Sequence, residues 1–264
     1  MSTESGGMYI ELLGPLSVRM NQVPVMPAAA KPRQVLAMLA LNAGRVVTVS
    51  TLIEELWGDQ PPASVHTTLQ TYILDLRKRL ATAMGPGKDP KWVLQTTHFG
   101  YLLDARSSQI DIDEFGRLAL AGRAAAEGAN YRVAAELLGR ALELWRGPAL
   151  VDVRKGRVLE LEAMALEESR LAVLSRRIEA DLALGRHADI LGELTALAAR
   201  HPLNENFSAQ LIMALYRTGH TARALQAFHR LRSSLVDELG IEPSAQLQRL
   251  QQAMLARDPS IDAA

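Results

Sequence analysis

Apolar positions in residues 8–26 come in short alternating runs. Tyr9-Ile10-Glu11-Leu12-Leu13 ends at Gly14-Pro15, Leu16-Ser17-Val18 alternates, and Val23 to Met26 resumes after Asn21-Gln22. Period-two alternation cut by turn residues predicts a small antiparallel sheet. The period then lengthens. Pro32 falls where the first helical position tolerates proline, Val35, Leu36, Leu39 and Ala40 form a helical stripe, and Gly44 suits a C-cap. Leu52, Ile53 and Leu56 give a second helix, opened near Ser50 by an imperfect capping box and closed by Trp57-Gly58 and Pro61-Pro62. A third, longer helix runs from about Ser64 to Thr82 and breaks at Gly85-Pro86-Gly87. Trp92 to Thr96 reads as a strand, His98-Phe99-Gly100 as a turn, and Tyr101-Leu102-Leu103 as the returning strand.

Beyond residue 105 the pattern is helical almost without interruption. Gly185-x-x-Ala188 and Gly219-x-x-Ala222 lie 34 residues apart, the tetratricopeptide period. Leu194 matches Phe228, while Leu184 matches the polar Thr218. Gly128-x-x-Tyr131, followed by Ala134, Leu138 and Ala141, reads as a third copy. In such pairs Ala and Gly let helices approach while Leu, Tyr and Phe fill the gaps. The plainer reading is an Ala-rich bundle. Arg117, Arg123, Arg132, Arg140 and Arg146, interspersed with Glu127, Glu136 and Glu143, are expected on solvated helix faces with local ion pairs. Trp145-Arg146-Gly147-Pro148 marks a helix end with a packed Trp.

The third helix carries the candidate chemistry. Val65, Leu69, Ile73, Leu76 and Leu80 follow helical spacing and predict one buried face. Rotation by 100° per residue puts Ser64, Thr67, Thr71, Leu74, Asp75 and Lys78 opposite, flanked by Thr68, Arg77 and Arg79. Small residues at the start and basic ones toward the end suit a helix laid in a DNA major groove. Thr can offer hydroxyl or methyl to base edges, Leu74 can meet a thymine methyl, and cations reach phosphates. Asp75 can accept from cytosine N4 or orient a neighbouring Arg. For this helix alone, a solvated face is the default. The hairpin tip supplies Thr97 and His98 as contacts to phosphate or minor groove, although Phe99 and Tyr101 can equally pack inward.

Charge and composition then narrow the classes. Lys+Arg and Asp+Glu are both 29 in 264 residues, which excludes a uniformly basic coat. Between residues 62 and 103, however, Arg77, Lys78, Arg79, Lys88 and Lys91 outnumber Asp75 and Asp89. There are no cysteines, so disulfides, thiolate catalysis and Cys-ligated metals are out. The longest apolar run, Val35 to Leu41, falls far short of the ~20 residues that span a bilayer, and Met1 to Gly7 lacks signal-peptide features. A cytoplasmic protein is expected. The six histidines lack metal-ligand spacing, Glu54-Glu55 and Glu167-Glu168 diverge on a helix, and Gly87-Lys88 lacks the context of a phosphate loop. No enzyme, cofactor or metal is expected.

Residues 1–104 resemble the OmpR-type winged helix-turn-helix domain. The matching runs are Leu12-Leu13-Gly14-Pro15, Leu52-Ile53-Glu54-Glu55-Leu56-Trp57-Gly58, Thr68-Leu69-Gln70-Thr71-Tyr72-Ile73-x-x-Leu76-Arg77-Lys78-Arg79-Leu80, and Gln95-Thr96-x-x-x-Gly100-Tyr101. With Asp237-Glu238-Leu239-Gly240-Ile241-Glu242-Pro243-Ser244, the chain resembles the Streptomyces antibiotic regulatory protein family over residues 8–256. The resemblance implies an α+β N-terminal winged helix-turn-helix domain (1–104), an all-α tetratricopeptide-like activation domain (105–258) and a tail (259–264). It implies an activator of secondary-metabolite clusters that binds direct repeats of promoter DNA near the −35 element, as a homodimer on DNA. It would recruit RNA polymerase holoenzyme through its sigma factor, in the nucleoid. By the same resemblance Thr71, Asp75, Arg77 and His98 face DNA, and Tyr72 joins them within the matching run. Asp75 and His98 stand where basic residues are common in such domains. The alternative is a helical-repeat scaffold without specific DNA binding.

Overall fold

The computed structural model describes residues 7–106 and 108–258. The first six residues and the expected tail 259–264 lie outside the described residues. The packing resolves into two units. One holds the described residues up to Leu118 together with Arg140–Leu171, and the other holds Ala119–Gly139 and the described residues from Ala172 onward.

In the first unit, β1 (Met8–Glu11) and β2 (Ser17–Met20) pair antiparallel, and β2 turns through Asn21-Gln22 into β3 (Val23–Pro24). Both turn residues have positive φ, 50° and 65°, the backbone a two-residue hairpin demands. The sequence pattern misses β7 (Ser108–Ile110), which pairs parallel with β1 and completes the order β3-β2-β1-β7. It also misses β4 (Val46–Thr48). That strand pairs with β6 (Gly100–Leu103), which in turn pairs with β5 (Leu94–Thr96). Strands of three residues carry too little alternation to register.

The helices are α1 (Ala30–Leu41), α2 (Val49–Trp57) and α3 (Val65–Met84). Several boundaries differ from expectation. Pro32 is the third helical residue, still within the turn whose amides need no intrahelical acceptor. Asn42, not Gly44, is the C-cap of α1. Thr48, not Ser50, caps α2 by accepting the Thr51 amide at 3.1 Å. Trp92 sits in a 3₁₀ turn, Pro90–Trp92, so the strand begins two residues later.

The core joins Ile10 and Val18 of the first sheet, Val35, Leu36 and Leu39 of α1, Leu52 of α2, Leu69, Ile73, Leu76 and Leu80 of α3, and Leu94 and Leu103 of the hairpin. Leu150, Val153 and Leu159 from the later part of the chain enter the same cluster. Polar groups fasten that later part. The Glu55 carboxylate, 2% exposed, accepts the Gln34 side-chain amide and the backbone amides of Gly156, Val158 and Leu159. These amides open α6 (Arg157–Ala183), where four donors lack intrahelical acceptors. A Cβ on Gly156 would collide with the Glu55 carbonyl oxygen, so only glycine allows the approach. Asp152 likewise accepts the Leu16 amide at 2.7 Å and pairs with Arg33. Arg146 is exposed, as expected, but its partners are not local. It is paired with Glu11 and Asp111 and donates to the Pro15 carbonyl. Trp145 packs edge-on against Phe115, with Arg170 over its ring.

The second unit is built of helix pairs. It takes the later part of α4 (Asp111–Glu127), α5 (Tyr131–Glu143) up to Gly139 and the later part of α6, then α7 (His187–Arg200), α8 (Glu205–Arg217), α9 (Thr221–Leu239) and α10 (Ala245–Ala256). The repeat glycines Gly185 and Gly219 lie between helices with φ of 75° and 81°, which favours glycine. Leu194 and Phe228 occupy matching buried positions, and Ala134 and Leu138 serve the earlier pair. Gly122 lies so close to Leu138 that a Cβ there would overlap its side chain. Gly240 ends α9 in the left-handed conformation, and Arg232 holds Glu242 in the following Ile241-Glu242-Pro243-Ser244 run.

Candidate nucleic-acid interface

Helix α3 exposes the face the periodicity predicts. Val65, Leu69, Ile73, Leu76 and Leu80 are buried, while Ser64, Thr67, Thr71, Leu74 and Lys78 are exposed and Asp75 is half-buried. Burying such an apolar side chain is worth about 1.5–3 kcal/mol, whereas an exposed ion pair is worth about 1 kcal/mol or less. The apolar stripe therefore sets the rotation of the helix, and the polar face follows. Leu74, 52% exposed, stands in the middle of that face.

The outward groups differ in how far they are committed to the protein itself. Thr71 donates its hydroxyl to the Thr67 carbonyl at 2.9 Å, leaving its methyl and an oxygen lone pair for a partner. Ser64 and Thr68 place their hydroxyls 3.4 Å apart, and Ser64 makes no side-chain cap. The Val65 amide is taken by the Pro62 carbonyl at 3.0 Å, and the remaining first-turn amides keep the partial positive charge that favours anions at a helix start. Asp75 accepts from Arg79 at 2.9 Å, and Arg79 also donates to the Met26 carbonyl. Of the two roles open to Asp75, it fills the orienting one here. Tyr72 stacks on Trp57 with ring centroids 6.4 Å apart, and Lys31 lies over the other aromatic partner at 4.3 Å. Lys78 is exposed.

Arg77 reaches sideways. Its guanidinium donates twice to the Leu94 carbonyl, at 3.0 and 2.8 Å, and once to the Thr96 hydroxyl. A planar fork on one carbonyl fixes direction as well as distance. It ties α3 to β5 and so positions the hairpin beside the helix.

At the hairpin tip Thr97 closes the turn through its backbone amide and hydroxyl, both engaged with Gly100. A Cβ on Gly100 would strike the Val47 carbonyl, so glycine is what lets β6 lie against β4. His98 is exposed beside Phe99, itself 71% exposed, with ring centroids 4.7 Å apart. Phe99 thus points outward and Tyr101 inward, which separates two residues that the sequence treats alike. The contribution of Arg77 to hairpin placement has no signal in the sequence, because a cation on a helix flank looks the same whether it faces solvent or a strand.

Among the described residues no acidic, His or Cys group could hold a metal ion, and no helix is long and apolar enough to cross a membrane.

Residues 25–103 match the family model described as transcriptional regulatory protein, C terminal, and residues 110–255 match the bacterial transcriptional activator domain. The chain is 53% identical to the regulatory protein DnrI of Streptomyces peucetius over 260 residues, covering 97% of this chain and 94% of that one. It is 38% identical to the transcriptional regulator RedD of Streptomyces coelicolor, covering 96% and 72%. The solved structure of Mycobacterium tuberculosis EmbR in complex with a low affinity phosphopeptide superposes with a TM-score of 0.87 at 35% identity, covering 97% of this chain and 68% of that one. With its winged-helix half and helical-repeat half, this chain belongs to the Streptomyces antibiotic regulatory protein family of transcriptional regulators.

Proposed function

We propose that the chain is a sequence-specific DNA-binding activator whose α3 enters the major groove of promoter DNA. The observation that carries this reading is the exposed Thr67-Thr71-Leu74-Lys78 face of a helix held by a fully apolar opposite side. Ser64, Thr67, Thr68, Thr71 and Asp75 approach base edges, Lys78 and the start of the helix meet phosphates, and Thr97 and His98 at the wing tip touch phosphate or minor groove. Tyr72, Arg77 and Arg79 act mainly by holding these groups in place. Residues 1–104 serve DNA, and the helical residues 105–258 serve contacts with the transcription machinery, the sigma factor of RNA polymerase in particular. Two copies occupy direct repeats near the −35 element, on one face of the duplex, to switch on an antibiotic or related gene cluster.

A mobility-shift titration on the DNA flanking its own gene tests the reading. Affinity should fall steeply with salt, with a log–log slope near −0.9 for each neutralised phosphate. Adding about 5 bp, half a helical turn, between the repeats should abolish joint occupancy. A flat salt response, or footprints unchanged by the insertion, contradicts it. Equal affinity for all sequences would favour a helical scaffold over an activator.

A further inference from the structure

We infer that Gln70 reads an adenine in the major groove, from the side of α3 nearest the wing. The inference rests on the DNA-reading role proposed above. The two flanks of the exposed face are distinguishable by what their residues touch. Tyr72 on Trp57, and Arg79 on the Met26 carbonyl, mark one flank. Arg77 on the Leu94 carbonyl marks the other, toward the hairpin. Gln70 lies seven residues before Arg77. That is close to two turns and about 10 Å along the axis, so it shares the hairpin flank. It sits one turn from both Thr67 and Leu74, the exposed residues at the centre of the face.

The neighbouring polar groups are largely committed. The Thr71 proton goes to the Thr67 carbonyl, the Asp75 carboxylate to Arg79, and the Arg77 and Arg79 guanidiniums to backbone carbonyls. Gln70 is exposed, and among the described residues none takes up its amide. It therefore presents a donor and an acceptor side by side. Adenine shows the complementary pair in the major groove: Nε2–H donates to N7 while Oε1 accepts from N6–H. Guanine shows two acceptors there, so one of the two bonds is lost. The small side chains of Thr67 and Thr71 leave the long glutamine room to reach the base.

The test compares the wild-type chain with Gln70→Ala on a repeat in which each base pair is changed singly, and on the same repeat carrying 7-deazaadenine, which lacks the N7 acceptor. The wild type should lose about 5- to 140-fold in affinity when one adenine of each repeat is replaced. Gln70→Ala should be indifferent at that adenine while keeping its preferences elsewhere. The 7-deaza substitution should weaken the wild type and leave Gln70→Ala unaffected. A Gln70→Ala variant that keeps every wild-type preference overturns the assignment, and so does one that weakens equally on all sequences including unrelated duplex. A wild-type chain with no base preference at any position overturns it together with the DNA-reading proposal, which separates the two failures.

Discussion

Glu55 accepts the backbone amide of Gly156 at 2.6 Å across 101 residues of chain. The same carboxylate takes the Val158 and Leu159 amides at 2.9 and 3.0 Å, so a side chain of α2 closes the start of α6. Gln34 of α1 donates to the same oxygen as Gly156. One carboxylate thus fastens two helices of the DNA-binding half to the segment that begins α6.

Removing that carboxylate should be costly. Glu55→Ala leaves three buried or half-buried backbone amides without their acceptor and Gln34 with only the carbonyl of residue 55, and each stranded donor costs about 1–3 kcal/mol before water re-enters. A loss of about 3 kcal/mol or more is expected in urea unfolding. Glu55→Gln, which turns an NH₂ toward amide donors, should cost about 1–3 kcal/mol. The adjacent and exposed Glu54→Ala should stay within about 0.5 kcal/mol of wild type. Equal effects at 54 and 55 would contradict the capping role.

Arg77 is expected to act through the hairpin. Arg77→Ala should lower stability by about 1–3 kcal/mol and weaken DNA binding to the same degree on every sequence. Arg77→Lys keeps the charge but lacks the fork on Leu94, so it should rescue little. Base-by-base affinity profiles check this. Selective loss at one base pair with stability intact would make Arg77 a direct reader instead.

Asp111 gives a signed pH response. Burial pushes its carboxyl above the ordinary aspartate value, against the opposing pull of the Leu13 and Leu12 amides and Arg146. The folded chain therefore holds this proton more tightly than the unfolded one. The group's contribution is full below the ordinary value and declines as pH rises through the raised one. Urea midpoints of wild type and Asp111→Asn across pH 3–7, on the order of four units, should show the wild-type advantage shrinking with rising pH in that window. An advantage that grows with pH contradicts the direction.

The sequence made some elements plain for a physical reason. The stripe Val65-Leu69-Ile73-Leu76-Leu80 is long, regular and buried on one side only, so its period and its exposed complement could both be read. Asn21-Gln22 announced a hairpin because few residues adopt positive φ there. Strands β4 and β7 stayed hidden because each is three residues long and pairs with a strand far away in sequence. Glu54 and Glu55 look identical in the chain, and only tertiary packing makes one exposed and the other a buried cap. Arg146 is the surface cation its sequence context suggests, but its pairing stays hidden there because Glu11, Asp111 and the Pro15 carbonyl come from other segments.

The chain lacks cysteine, so Thr67→Cys gives a single thiol on the outward face of α3. An iron chelate tethered there and activated on a bound direct repeat marks where that face lies. Cleavage confined to one position in each repeat, with a pattern centred on the major groove, is the predicted result. A chain that binds the duplex yet leaves it uncut from residue 67 would contradict the placement of α3 against the bases.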